Sequence, residues 1–339
     1  MPTIDHRTLR RITQAVIEAA GTPPEAAQAV CESLVEANLS GHDSHGVIRL
    51  PQYIDLVRYG SVHPRVAPRI VSRQQATAQI DGGFGWGQPA ARLATRTAIE
   101  LATDYGIGAA TIVNCNHIGR VGEYVETIAQ AGMIGIALCN AGPAVAPYGG
   151  YQRVMGTNPF AWAAPGGPGQ PPFVLDFATS GVAEGKLRVA RSKGAPIPEG
   201  LVVDSAGRPS RDPADFYAGG ALQTFGMHKG SGMSVMIELL ARGLCGVDPT
   251  QSHPIGQNGP LILALNIPFL APEAQFLGAA ERLRAQITAS APITGFDEVL
   301  LPGDPERRAR QQRLEQGISI PQTTWDDIVA LAAEWNVDI

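Results

Sequence analysis

A chain of 339 residues is long enough for a substantial core and is expected to divide into two closely joined domains. An apolar fraction of 44% and a charged fraction of 17% suit a compact fold and exclude extended disorder. The net charge of -5, with basic residues dispersed, gives a nucleic-acid backbone nothing to bind, and no span is apolar enough over membrane-crossing length.

The opening segment, residues 1–20, is amphipathic and charged, unlike a secretory signal. Apolar positions at helical spacing over 9–20 (Ile12, Val16, Ala19) and 24–39 (Ala27, Val30, Leu34, Ala37) predict two packed helices. A third is predicted through Leu50, Tyr53, Ile54 and Val57, ended by Gly60 and Pro64, which puts the polar cluster 41–46 at its N-terminus. From Ala76 the pattern changes to short apolar runs (78–80, 109–113, 134–138, 173–175) separated by helices predicted over 89–105 and 121–132, which makes an α/β body. The glycine- and proline-rich stretch 165–172 reads as a hairpin loop, and 226–240 as a helix that begins polar and ends apolar. Amphipathic helices return over 305–316 and 325–335; in the first, Arg307, Arg308, Arg310 and Arg313 alternate with Glu306 and Glu315 and read as a solvated face. Cys31, Cys115, Cys139 and Cys245 lie far apart without a CxxC pair and are expected to be reduced, structural thiols of a cytoplasmic protein.

Four clusters carry candidate chemistry. In Gly41-His42-Asp43-Ser44-His45-Gly46-Val47-Ile48-Arg49, an imidazole that titrates near neutrality lies one turn from a guanidinium whose planar fork suits a carboxylate. The same residues would also serve as a helix cap with His45 on the surface. Asn116-His117-Ile118-Gly119-Arg120 follows an apolar strand, the end at which α/β folds place ligands. Asp176, in Leu175-Asp176-Phe177-Ala178-Thr179-Ser180, also ends a strand and is suited to orienting an imidazole or holding a ribose, or to capping the next helix. His228-Lys229-Gly230-Ser231-Gly232 could bring backbone and Lys229 to a phosphate, but lacks P-loop spacing. Gly83-Phe84-Gly85-Trp86-Gly87-Gln88 imitates the dinucleotide fingerprint yet has Gln88 at the third glycine, so no Rossmann signature is present. His42 and His45 lack the third ligand a zinc site needs. A hydrolase using Ser44, His42 and His45 is a rival of another class, although adjacent residues rarely face one another and no GxSxG elbow is present.

With Asp43-Ser44-His45-Gly46 and Arg49, Asn116 to Arg120, Met155-Gly156-Thr157-Asn158-Pro159, Leu175 to Ser180, His228 to Gly230 and Leu301-Pro302-Gly303-Asp304 in view, the sequence resembles the type 2 malate/L-lactate dehydrogenase family from its first helix to about Trp325. That family includes sulfolactate, ureidoglycolate and 2,3-diketogulonate oxidoreductases and cyclic imino acid reductases. The resemblance implies a non-Rossmann dinucleotide domain on a largely antiparallel mixed sheet (116–284), a helical domain from both chain ends (1–115 with 285–339), and a homodimer. It implies His45 as proton donor, with Ser44 and Asp176 as relay partners, although some members give the proton to the residue matching His117. Arg49 and Thr157 then match substrate contacts, and His117, Asp176, Phe177, Ala178, Lys229, Gly303, Asp304 and Pro305 match cofactor contacts. Ser231 stands where the family commonly has an aromatic residue. The implied activity is hydride transfer between NAD, or alternatively NADP, and C2 of a small 2-oxo or 2-hydroxy acid; alternatives are reduction of a cyclic 2-imino acid and a silent NADH-binding protein. Arg188, Arg191 and Lys193 are the basic candidates for meeting a 2′-phosphate.

Overall fold

The computed structural model of the protein describes residues 1–192, 194–247 and 257–339. After β1 (Thr3–Ile4), Asp5 starts α1 (His6–Ala19) by accepting from the Arg7 and Thr8 amides at 2.9 and 3.3 Å, which satisfies donors a helix start leaves free. α2 (Pro24–Leu39) and α3 (Leu50–Arg58) follow. Their apolar faces (Leu9, Ile12, Val30, Leu34, Ile54) close on residues from the far end of the chain, Ile318, Ile328 and Leu331. Both chain ends therefore make one helical core.

Next come β2 (Arg69–Gln74), β3 (Thr77–Asp81), α4 (Gly87–Tyr105), β4 (Ile107–Val113), β5 (Cys115–Asn116), α5 (Gly122–Gln130), β6 (Ile134–Leu138), β7 (Phe160–Ala164), β8 (Phe173–Phe177) and α6 (Glu184–Ser192). A small subdomain of β9 (Val202–Val203), β10 (Pro209–Ser210), α7 (Pro213–Tyr217) and β11 (Ala221–Leu222) leads to α8 (His228–Glu238). Then follow β12 (Gln257–Asn258), β13 (Leu261–Leu265), α9 (Glu273–Thr288), α10 (Asp304–Gln316), β14 (Ile318–Ser319) and α11 (Gln322–Glu334). β14 pairs antiparallel with β1, tying the chain ends together.

The main sheet has the order β2-β3-β4-β13-β6-β7-β8. Only β3 and β4 run parallel, and α4 supplies the crossover that a parallel pair requires. The sheet is mixed and largely antiparallel, as expected. Small residues on α4 (Ala90, Ala91, Ala94, Ala98) let it and α5 pack closely against Ala110, Ile112, Ala137 and Ile262 in a second core.

Strands β2 to β4, within the range assigned to the helical domain, pair into the sheet, and the helical core takes only Trp86 from beyond Val62 in the N-terminal half. β7 and β13 were not among the predicted strands: an Ala-rich FAWAA and a five-residue LILAL carry no alternation to separate strand from buried helix. The loop 165–172 does join an antiparallel pair, β7 and β8. The four cysteines are buried and free. Among the described residues no helix is long and apolar enough to cross a membrane.

Candidate active site

The cluster 41–49 does not open a helix directly. It forms two 3₁₀ turns, Asp43–His45 and Val47–Arg49, ahead of α3. Asp43 caps nothing: its carboxylate receives a forked pair of bonds from Arg313 of α10, at 2.6 and 3.0 Å, and a third at 2.7 Å from Asn38. Arg313 therefore departs from the expected solvated face and clamps the turn instead; Arg310 likewise pairs with Glu36. Asn38 also accepts from the Val47 amide at 2.8 Å, and a Cβ on Gly46 would lie 2.2 Å from that oxygen. Asp43 and Gly46 thus fix the backbone that presents Ser44 and His45.

Ser44 Oγ lies 3.1 Å from His45 Nδ1. Adjacency in sequence was expected to keep the two apart; the tight 3₁₀ turn brings them together instead. The His45 ring is half-buried rather than on the surface and stacks on His117, with centroids 5.7 Å apart and planes 8° from parallel. Among the described residues, the hydrogen-bond partners of the two rings are at Nδ1, and Nε2 of each has none. Burial is the main cause holding His45 well below its usual range, followed by the charges of His117, Arg49, His42 and Arg120. Burial and then Arg49 push His117 down to about 3.

Arg49 donates through Nε to the Ser44 carbonyl at 2.7 Å and through Nη1 to Gln52 at 2.9 Å. Among the described residues it forms no salt bridge and Nη2 has no hydrogen-bond partner, so one edge of the fork remains for an anion. The carboxylate whose charge reaches it is Glu184, a residue not singled out by sequence. Glu184 starts α6, and next to it a Cβ on Gly185 would stand 2.9 Å from Ser44 Cβ, so this helix start packs closely on the Ser44 turn as glycine.

His117 is brought to His45 by the false fingerprint. Buried Asn116 donates to the Phe84 and Gly85 carbonyls at 2.8 and 2.9 Å, and a Cβ on Gly87 would fall 2.2 Å from the Asn116 carbonyl oxygen. The glycines dock α4 on the histidine loop. Tyr53 Oη lies 2.7 Å from His117 Nδ1 and accepts from Gln88 Nε2 at 2.9 Å; neither residue was among the sequence candidates, because their link spans three separate elements.

Several of the remaining candidates lie along β8 and the segment that follows it. Asp176 accepts from the Gly122 amide at 2.7 Å; burial raises its pKa, opposed by Arg120 and His42. It makes no hydrogen bond to Ser44 or His45. Gly303, in a left-handed conformation (φ 93°), starts α10 without a side-chain cap, and Pro302 accepts from the Val174 amide at 3.2 Å. A cavity of about 410 Å³ lies between Arg120, Val174, Gly303 and Glu306. Asp304 pairs with Arg307 and accepts from the Leu301 amide at 2.7 Å. Phe177 packs edge-on against Phe225, four residues before the exposed Lys229 of α8. Ser231 is buried and accepts from the Tyr148 amide at 3.0 Å. Thr157 joins the assembly through its carbonyl, which accepts from the Thr179 amide and hydroxyl at 2.8 and 3.1 Å.

His42 turns away from His45 to Glu306, 3.3 Å distant. Among the described residues, no group of three His, Cys, Asp or Glu side chains is placed to hold a metal. Of the basic residues near α6, Arg188 is paired with Glu184 at 3.1 Å and Arg191 lies 4.6 Å over the Tyr217 ring; Lys193 lies outside the described residues.

Comparison with known proteins gives a match over residues 4–329 to the family model described as malate/L-lactate dehydrogenase. The L-sulfolactate dehydrogenase of Methanocaldococcus jannaschii is 35% identical over 96% of this chain and 94% of its own. Its solved structure superposes with a TM-score of 0.90 at 34% identity, covering 99% and 98% of the two chains. A malate dehydrogenase of Pyrococcus abyssi is 36% identical over 95% of this chain and 92% of its own. The Δ1-pyrroline-2-carboxylate/Δ1-piperideine-2-carboxylate reductase of Pseudomonas syringae is 31% identical over 97% and 96%; the solved Δ1-piperideine-2-carboxylate reductase from that organism gives a TM-score of 0.87 at 31% identity, covering 98% and 100%.

Proposed function

Because this chain belongs to the malate/L-lactate dehydrogenase family, we propose that it is an oxidoreductase acting at C2 of a small 2-oxo or 2-hydroxy carboxylic acid. The observation that carries this reading is Arg49: a guanidinium without a carboxylate partner, one edge open, beside two stacked imidazoles whose Nε2 atoms are unengaged. A substrate carboxylate on Arg49 sets C2 near a proton donor, the arrangement such a reaction requires.

The nicotinamide cofactor, when bound, supplies or takes the hydride. The protein's part is to hold and protonate. His45 gives a proton to the oxygen on C2 in reduction and takes it back in oxidation, and Ser44 at Nδ1 fixes the ring. A bound carboxylate does more than anchor. By neutralising Arg49 it offsets one of the positive charges that hold His45 deprotonated, so the substrate raises the proton affinity of its own acid. Thr157 is assigned to the substrate.

Asp176, Phe177, Ala178, Lys229, Gly303, Asp304 and Pro305 are assigned to the cofactor, and His117 to the meeting point of cofactor and substrate. The fit is supported by the approach of the Gly303 turn to Val174 of β8 and by the tightness of that turn, where a Cβ would meet the Arg307 guanidinium at 2.7 Å. In this non-Rossmann site Asp176 orders the Gly122 backbone rather than bonding His45. NAD is preferred to NADP because Arg188 and Arg191 already have partners. The reading includes a cytoplasmic homodimer; Val235, Met236, Leu239 and Leu240 leave an apolar row exposed along α8 and the turn after it.

Reduction of a cyclic 2-imino acid is the second reading, favoured by the Pseudomonas syringae relative. The same residues would serve, with the proton going to nitrogen. The Ser44–His45 contact also suits a hydrolase, but the family match argues against it. The test follows reduced-nicotinamide absorbance with NADH and NADPH separately against 2-oxo acids and cyclic 2-imino acids. Turnover is expected with one class and lost in His45→Ala; turnover without nicotinamide would overturn the reading in favour of hydrolysis.

A further inference from the structure

The two stacked histidines are held in different ways, and the hydrogen-bond chain behind His117 fixes what that ring can do. Tyr53 is 3% exposed and Gln88 fully buried, so neither exchanges its partner for water. Gln88 Nε2 donates to Tyr53 Oη, and the same oxygen lies 2.7 Å from His117 Nδ1. A phenol that accepts from the amide has its single proton left for the ring. Nδ1 is therefore an acceptor, and the imidazole hydrogen sits on Nε2.

The direction of this chain rests on Gln88. Its Oε1 is buried without a partner. Turning the amide over would leave two buried N–H donors unpaired where the present orientation leaves one donor and the oxygen, and orphaned buried N–H groups are rarer than under-satisfied carbonyls. Burial also pushes the Tyr53 phenol above its ordinary range, so its proton is retained.

We propose that Tyr53 and Gln88 are positioning residues that lock His117 as the neutral Nε2–H tautomer, making it a fixed hydrogen-bond donor to the atom on C2 while His45 alone exchanges the proton. The inference rests on the substrate site proposed above. Its chemistry balances without further reactants: the proton that completes reduction leaves His45, which goes from imidazolium to imidazole, and His117 ends as it began. Electrostatics favours the same division. Two imidazolium rings stacked at 5.7 Å would repel, whereas a neutral donor beside His45 leaves its positive form tolerable. The lock would also answer which of the two histidines performs acid–base work.

The test is ring-¹⁵N histidine NMR on the full chain, with His117 identified by its loss in His117→Gln. Wild type is expected to show Nδ1 unprotonated, Nε2 protonated and no titration between pH 5 and 8. Tyr53→Phe removes the donor and should give a mixture of tautomers, with kcat about tenfold lower and the pH dependence from His45 retained. Gln88→Met keeps the size, removes the amide, and should move the tautomer the same way; it carries the test if Tyr53→Phe does not fold. A protonated Nδ1 in wild type overturns the proposal, as does a Tyr53→Phe or Gln88→Met ring that stays wholly Nε2–H. Activity separates the two levels. The expected tautomer in a protein that turns over no 2-oxo or cyclic 2-imino acid would overturn the site reading and leave the lock standing; the opposite tautomer in an active enzyme would do the reverse.

Discussion

The turn carrying His45 and the loop carrying His117 meet as a stacked pair, but they are built by opposite means. Around His45 the side-chain partner is its own neighbour, Ser44, and Arg49 reaches back to the Ser44 carbonyl five residues away. Around His117 the partners are Tyr53 and Gln88, with Tyr53 64 positions from the histidine and 35 from Gln88. One imidazole stands among charged groups; the other is fixed by buried, uncharged groups. The difference teaches that proximity alone does not make two histidines equivalent acids. It also orders the experiments, since each substitution should fall much harder on one side of the pair.

The largest effect is expected from His45→Ala, which removes the proton donor and should lower kcat about a thousandfold with cofactor affinity unchanged by fluorescence titration. A loss below tenfold would shift the acid–base role to the His117 loop. Next, Arg49→Lys keeps the charge but loses the fork, and should raise KM for 2-oxo acids by about 10- to 100-fold with a smaller change in kcat. Unchanged kinetics would remove the carboxylate-anchor role. Because a bound carboxylate offsets the Arg49 charge, the pKa seen in kcat for reduction should exceed that in kcat/KM by about one unit, with activity falling as pH rises through each. Equal values in wild type would mean that the substrate's charge does not reach His45. Ser44→Ala should cost about tenfold in kcat by freeing the His45 ring; Tyr53→Phe should match it on the other ring without touching the His45 titration.

The same contrast explains what was legible in the sequence. Ser44, His45 and Arg49 stand within six residues, so their density was visible without a fold. The short apolar runs of β4 and β6 and the apolar faces of α1 and α2 were visible for the same local reason. Glu184, Tyr53 and Gln88 were not, because each acquires its role only when a second element arrives: Glu184 through the approach of Gly185 to Ser44, Gln88 through a loop that looked like a failed phosphate site. Arg313 was misread as solvated because helical periodicity reports the face of a helix and not the carboxylate that a distant turn places against it.

The smallest effect expected is on stability, and its sign follows from protonation in the unfolded chain. His117 is pushed down to about 3 in the folded protein and returns to about 6.5 on unfolding. Between those values the unfolded state binds the extra proton, so stability must fall as pH drops below about 6.5. From pH 7 to pH 6 one such histidine accounts for at most about 0.7 kcal/mol. His45, also held well below its usual range, adds in the same direction. Urea titrations of wild type and His117→Asn at the two pH values isolate the His117 share, because asparagine does not titrate. The variant should lose less stability than wild type over that interval. If both lose the same amount, His117 is as easily protonated folded as unfolded, and its burial does not exclude the proton.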